Sequence, residues 1–118
     1  KNSSIGSNCK IGYGTEIKNA VLFGQTTVGR LSFIGDSVLG ERVHLGSGTM
    51  TINTDSLGGE IYYHSKDEEP LNTNLPKLGA FIGDNSIIGT GHTIAPGTSI
   101  ASNTNIADRI TISGSTLY

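Results

Sequence analysis

The chain has 118 residues, enough for one domain, and its 17 Gly with only 6% aromatics suit short strands joined by tight corners. A net charge of −2 and a pI near 5.8 leave no basic footprint for nucleic acid. No apolar run approaches the roughly 18 residues of a membrane span. No signal peptide is visible and the single Cys9 excludes an intramolecular disulfide, which together fit a reducing cytoplasm.

From the start, Ile5, Ile11 and Ile17 recur every six residues, with Gly6 and Gly12 beside the first two. A period of six fits neither a helix nor ordinary strand alternation, and does fit a hexapeptide β-helix. The aliphatic anchor points inward and stacks on the anchors of the coils above and below. The small residue after it lets neighbouring backbone pass closely at the corner. Gly or Asn in the turn accepts φ > 0 at little steric cost. The series continues at Phe23-Gly24 and then slips to Val28-Gly29, Ile34-Gly35, Leu39-Gly40 and Leu45-Gly46. The steps Phe23 to Val28 and Ile34 to Leu39 are five residues, so local irregularity is expected over residues 23–40. Cys9 lies four after Ile5, a slot filled elsewhere by Thr15, Thr27, Thr49, Ser86 and Thr98, and is expected to be a small packed residue. The chain begins at Lys1, without Met and already within a repeat, so it is expected to be a fragment of a longer protein.

After Thr51 the repeat stops, and residues 52–81 form one long excursion from a corner of the prism. It carries Gly58-Gly59, the alternation Ile61-Tyr62-Tyr63-His64, the charged tip Lys66-Asp67-Glu68-Glu69, and Pro70 and Pro76. A short hairpin is expected, with Glu60–His64 as one arm and about Pro70–Thr73 as the other. Long loops in compact domains tend to be functional; clasping a neighbouring subunit is the blander role.

From Ile82 the period runs without a slip through Ile88, Ile94, Ile100, Ile106 and Ile112, each followed by Gly, Ala or Ser. Asn85, Gly91, Gly97 and Asn103 fill the turn slot. Three faces make a coil of about 18 residues, and a coil buries its apolar column only by stacking on its neighbours. The anchors predict an all-β parallel β-helix of about five coils, the last incomplete, occupying residues 1–118 as a single domain.

The segment Ser32-Phe33-Ile34-Gly35-Asp36-Ser37-Val38-Leu39-Gly40-Glu41-Arg42-Val43-His44-Leu45-Gly46-Ser47-Gly48-Thr49 goes beyond a generic repeat. It resembles the C-terminal domain of the bifunctional N-acetylglucosamine-1-phosphate uridylyltransferase/glucosamine-1-phosphate acetyltransferases. It is more similar still to archaeal sugar-1-phosphate nucleotidylyltransferases with such a tail. Thr15-Glu16-Ile17-Lys18-Asn19-Ala20, Lys77-Leu78-Gly79-Ala80-Phe81-Ile82-Gly83-Asp84 and Ala95-Pro96-Gly97 carry the same resemblance. The resemblance implies a left-handed coil, although the general rule for parallel crossovers favours the right hand. It implies a homotrimer, and a preceding Rossmann-like domain that joins a nucleoside triphosphate to a sugar-1-phosphate and holds the Mg2+. It also implies acetyl transfer from acetyl-CoA to an amino-sugar phosphate at subunit interfaces, so that sugar phosphate or nucleotide sugar and acyl-CoA are the expected ligands.

Arg30 stands where that family has its general-base His, and stays protonated at any working pH. Phe33 replaces the family's Tyr and lacks its hydroxyl. His44 takes the place of an Asn and is the one remaining candidate for a catalytic base; an exposed His is the plainer account. Asn53 and Lys77 are retained ligand positions, though Pro76 replaces the Arg before Lys77. Arg30 suits bidentate contact with a sugar phosphate or the pyrophosphate of CoA, or is a solvated corner residue. His92 falls in the inward slot after Ile88 and is expected to be a hydrogen-bonded structural His. His64, beside Tyr62 and Tyr63, suits an interface or a ligand lid. His44, His64 and His92 lack metal-ligand spacing, so no metal site is expected. The expected function is the C-terminal domain of a nucleotide-sugar-forming nucleotidylyltransferase, acetyltransferase-like but without the base His. The alternative is a non-catalytic trimerisation or regulatory module.

Overall fold

A computed structural model describes residues 1–109. The strands follow one another around a three-sided prism. The first coil is β1 (Ser4–Ile5), β2 (Lys10–Ile11) and β3 (Glu16–Lys18), and the second is β4 (Val21–Leu22), β5 (Thr27–Val28) and β6 (Phe33–Gly35). The third is β7 (Val38–Leu39), β8 (His44–Leu45) and β9 (Met50–Thr51). An excursion follows with β10 (Tyr62–Tyr63) and β11 (Leu71–Asn72). The fourth coil is β12 (Phe81–Ile82), β13 (Ile87–Ile88) and β14 (Thr93–Ile94), and the fifth begins with β15 (Ser99–Ile100) and β16 (Asn105–Ile106). The anchor Ile112 lies outside the described residues.

Corresponding strands of successive coils pair in parallel and make three sheets. The first stacks β1, β4, β7, β12 and β15, the second β2, β5, β8, β13 and β16, and the third β3, β6, β9 and β14. Register alone fixes the core. Ile5, Leu22, Leu39, Ile82 and Ile100 form one inward column, and Ile11, Val28, Leu45, Ile88 and Ile106 a second. In the middle coils Leu22, Val28, Ile34, Leu39, Leu45 and Ile88 are buried, each contributing roughly 1.5–3 kcal/mol. The end anchors Ile5, Ile11 and Ile106 are exposed because each has a coil on one side only.

The structure corrects one anchor. Leu22 points inward and is buried, whereas Phe23 is exposed. The first five-residue step therefore runs from Ile17 to Leu22 and not from Phe23 to Val28. The step from Ile34 to Leu39 falls at the same corner, one coil on. Both early coils are thus 17 residues long, as the recurring separation of their corner contacts shows. Where a step is five residues, the left-handed turn residue (Asn19, φ 53°; Asp36, φ 50°) comes one place sooner after the anchor. The excursion leaves from that same shortened corner. Correspondingly, Thr26, not Thr27, fills the inward slot after Leu22 and is fully buried.

The polar slots form a second ladder inside the corners. The Thr26 hydroxyl donates to Gly40 O at 2.8 Å and accepts from Val43 N at 3.2 Å. Ser86 does the same between Ala101 O and Thr104 N. Cys9 is half-buried against the core with its Sγ 3.3 Å from Phe23 O, so it is the packed residue expected. In the third sheet Thr51 replaces the aliphatic anchor and is fully buried, its hydroxyl accepting from Gly35 N at 2.9 Å. The small residue after each anchor has the predicted role. A Cβ on Gly46 would come within 2.5 Å of Thr90 N in the next coil.

Within the excursion β10 and β11 pair antiparallel, Tyr62 opposite Asn72 and Tyr63 opposite Leu71. Ile61 N donates to Leu75 O at 2.8 Å and Thr73 N to Ile61 O at 3.0 Å. Within the hairpin, Ile61 is buried, 4% exposed. It lies against the corner at Gly97, where an added Cβ would meet Ile61 Cγ2 and Tyr62 O at 3.0 Å.

Candidate functional site

The candidate residues occupy distinct places around the prism. Asn53 sits at the corner between the third and first sheets, where residues 17 apart in sequence stack. Its Nδ2 donates to Asp36 Oδ2 at 2.7 Å, and Asn19 Nδ2 donates to Asp36 Oδ1, also at 2.7 Å. Asp36 thereby ties three coils together. The chain returning from the excursion takes the next rung, with Leu78 N donating to Asn53 O at 2.9 Å and Gly79 N to Asp36 O at 2.8 Å.

Phe33 and Asn53 meet over Gly35. A Cβ there would lie 2.5 Å from the Phe33 ring and 3.0 Å from Asn53 Nδ2, so this small residue is what lets the two side chains converge. Lys77 is exposed. With Asn19, Asp36, Val21, Leu75 and Phe81 it lines a shallow depression of about 300 Å³ at that same corner. Phe33, Asn53 and Lys77 therefore gather around one edge.

Arg30 and His44 lie elsewhere. Arg30 is exposed at the corner between the second and third sheets, stacked between Tyr13 and Ser47, since Leu31 N bonds Tyr13 O and Gly48 N bonds Arg30 O. A groove of about 490 Å³ at this corner is lined by Arg30, Lys10, Tyr13, Thr27 and Ser47, above Ile11 and Val28. His44 is exposed on the second sheet, in register with Thr27 below and Ile87 above. No carboxylate among the described residues pairs with it. His92 is half-buried and its Nε2–H donates to Ala107 O at 2.6 Å, the structural role expected.

A larger cavity, about 630 Å³, lies where the excursion folds back over the prism. Ile52, Ile61, Tyr62, His64, Pro70 and Pro96 contribute to its wall. Sequence reasoning left His64 as a lid or interface residue without locating this wall. The signal for it in the sequence is the apolar start of the Ile61-Tyr62-Tyr63-His64 alternation, which marks where the hairpin docks.

A parallel β-helix with inward aliphatic columns, close-packed glycine corners and an excursion between its third and fourth coils defines a hexapeptide-repeat domain of the acyltransferase-like kind. A family model described as the GMPPB C-terminal domain matches residues 1–68, and the chain belongs to that family. It is thus a C-terminal hexapeptide-repeat domain of the sugar-1-phosphate nucleotidylyltransferase type, as its signature segment indicates. Among curated relatives, the uncharacterized acetyltransferase YaiX of Escherichia coli O6:K15:H31 (strain 536) is 36% identical over 94 residues, covering 72% of this chain and 36% of that protein. The bifunctional protein GlmU of Brevibacillus brevis is 42% identical over 84 residues, covering 71% of this chain and 16% of the relative. GlmU of Gloeobacter violaceus is 43% identical over 53 residues, 45% of this chain and 12% of that protein. The chain therefore spans only a minor part of the length of these relatives. No helix is long and apolar enough to cross a membrane among the described residues.

Proposed function

We propose that this chain is the left-handed, trimer-forming C-terminal domain of a cytoplasmic enzyme of nucleotide-sugar biosynthesis, and that it assembles that enzyme without performing acetyl transfer itself. The nucleotidylyl transfer, with its Mg2+, belongs to a preceding domain. The observation that carries the assembly role is the outward face of the first sheet. Val21, Val38 and Phe81 stand in register there as an apolar row, Val21 and Phe81 38% and 43% exposed. An outward strand position in a solvated prism is ordinarily polar, and a row of this kind suits a subunit contact.

The loss of acetyl transfer follows from position 30. A guanidinium cannot accept the proton that an attacking amine must give up. Phe33 offers no hydroxyl, and Asn53 spends its amide on Asp36. The second reading keeps acetyl transfer with His44 as base, favoured by its exposed ring on the second sheet. Arg30, Phe33, Asn53 and Lys77 would then hold acyl-CoA and an amino-sugar phosphate across the subunit boundary.

Calorimetric titration with acetyl-CoA, run beside light scattering, separates the two. A trimer that ignores acetyl-CoA supports the assembly role. A trimer that binds it and acetylates an amino-sugar phosphate moves the domain to the second reading. A monomeric mass removes the assembly role altogether.

A further inference from the structure

The excursion builds a chamber of its own against the prism. Its chain leaves at Ile52, reverses at Gly58 and Gly59, and returns as β10 to the corner at Gly97. The reversal takes two left-handed residues in succession (φ 83° and 96°), a conformation that glycine adopts at little cost. Gly58 N closes the turn on Asp55 O at 2.9 Å. Asp55 and Glu60, one on each side of this turn, are thereby brought to the wall of the same cavity of about 630 Å³. That volume is in the range of small-molecule sites.

The wall combines two chemistries. Ile52, Ile61, Pro70 and Pro96 give it apolar surface from both the prism and the hairpin. Asp55 and Glu60 give it negative charge, and no Lys or Arg among the described residues lines it. Each carboxylate is only half engaged. Asp55 Oδ1 accepts from Leu57 N at 2.9 Å, and Glu60 Oε1 accepts from Asn72 Nδ2 at 3.1 Å. Their other oxygens have no hydrogen-bond partner among the described residues, where the one ion pair joins Arg42 to Glu41 instead. A phosphorylated ligand would be repelled here, and a cation attracted. Among the described residues no three His, Cys, Asp or Glu gather closely enough to hold a metal ion. The apolar surface calls for hydrocarbon joined to the charge, and the Tyr62 ring, 47% exposed, offers an ammonium group a further face.

We infer that this cavity binds an aliphatic diamine or polyamine. Its ammonium groups lie against Asp55 and Glu60, and its methylene chain lies on Ile52, Ile61 and Pro96. The charge of this site is opposite to that of the Arg30 and Lys77 corners, where the expected ligands carry phosphate. Every lining residue belongs to one protomer. The site therefore stands or falls independently of the trimer and of acetyl transfer.

The test is calorimetric titration of the full chain at low salt with diaminobutane, diaminohexane, hexylamine, hexanediol and adipate. Diaminohexane should bind, and several-fold more tightly than diaminobutane, because its added methylenes lie on apolar surface. Hexylamine, with one charge, should bind more weakly than diaminohexane, and hexanediol and adipate should not bind. Asp55→Asn and Glu60→Gln each keep the oxygen that accepts the loop's own hydrogen bond. Each should nevertheless weaken diaminohexane about three- to tenfold, the loss expected for a partly exposed charged contact. Glu68→Gln with Glu69→Gln, at the acidic tip of the excursion, should leave its affinity unchanged. The inference is overturned if diaminohexane shows no binding at about 10 mM, or if diaminobutane binds as tightly. It is also overturned if the variant carrying both Asp55→Asn and Glu60→Gln binds diaminohexane as well as the parent chain.

Discussion

Asn53 donates its side-chain amide to the Asp36 carboxylate at 2.7 Å, and the carboxylate's other oxygen is taken by Asn19. Asn53, which the sequence resemblance marks as an expected ligand position, is engaged inside its own protomer, as the top rung of a polar ladder that joins three coils. Asp36 is the centre of that ladder and also occupies a left-handed turn.

Replacing it with Ala removes two charge-assisted hydrogen bonds and puts a poorly suited residue at φ 50°. The expected cost is about 2–3 kcal/mol, a fall of roughly 5–10 °C in thermal midpoint for a domain of this size. Asp36→Asn, which tolerates the turn and keeps one acceptor, should lose about half as much. Equal midpoints for Asp36→Ala and the parent chain would show the ladder to be incidental.

Most of the fold was legible because the columns repeat. The run from Ile82 to Ile106 leaves one phase open, and the structure has it inward at every step, with Ile82, Ile88 and Ile94 buried. Val21-Leu22-Phe23 leaves two phases open. Phe23-Gly24 imitates the large-plus-small pair of the other anchors, and only pairing with Ile5 and Leu39 selects Leu22. Register between coils is a tertiary fact, and local pattern does not contain it. Thr51 illustrates the same limit, since a hydroxyl in the aliphatic slot is explained only by the Gly35 N–H it satisfies one coil below. The hairpin was legible from the alternation around Tyr62. The sequence could name candidate residues one by one, but not their separation into the Asn53–Lys77 corner, the Arg30 corner and the face that carries His44, because a shared edge depends on which coil each residue joins.

The strain at Leu31, a branched residue at φ 57° and 62% exposed, yields a prediction opposite in sign to most substitutions. Leu31→Gly relieves the left-handed penalty, at some cost in unfolded-chain entropy, and loses little buried surface. A net gain of about 0.5–1 kcal/mol is expected, read as a higher midpoint in thermal or urea unfolding. A clear loss of stability would mean that the leucine packs more productively than its exposure indicates.

Position 30 can be tested by restoring chemistry. Arg30→His with Phe33→Tyr supplies a group able to accept a proton and the missing hydroxyl. If the domain descends from a working acetyl transferase and the remaining pocket is intact, the double variant should gain turnover of an amino-sugar phosphate with acetyl-CoA over the parent chain. An unchanged background rate would sink the idea of a merely disarmed site. His44→Ala should leave any parent activity unchanged on the assembly reading, and abolish it on the reading in which His44 is the base.

The excursion hangs on one apolar side chain. Ile61 is the buried aliphatic residue of its hairpin and meets the prism at Gly97. The prism's own columns contain no atom of the excursion, and they close through β12, which pairs directly with β7. Ile61→Asp places a charge in that contact and should free the hairpin while the coils stay folded. The expected result is faster proteolytic cleavage and faster amide exchange within residues 57–75, with the global unfolding midpoint lowered by no more than a few degrees. Exchange that quickens equally in β7 and β12 would show the excursion to be part of the cooperative core. Confinement of the change to the loop would establish that the cavity of about 630 Å³ beneath it opens and closes by a local motion.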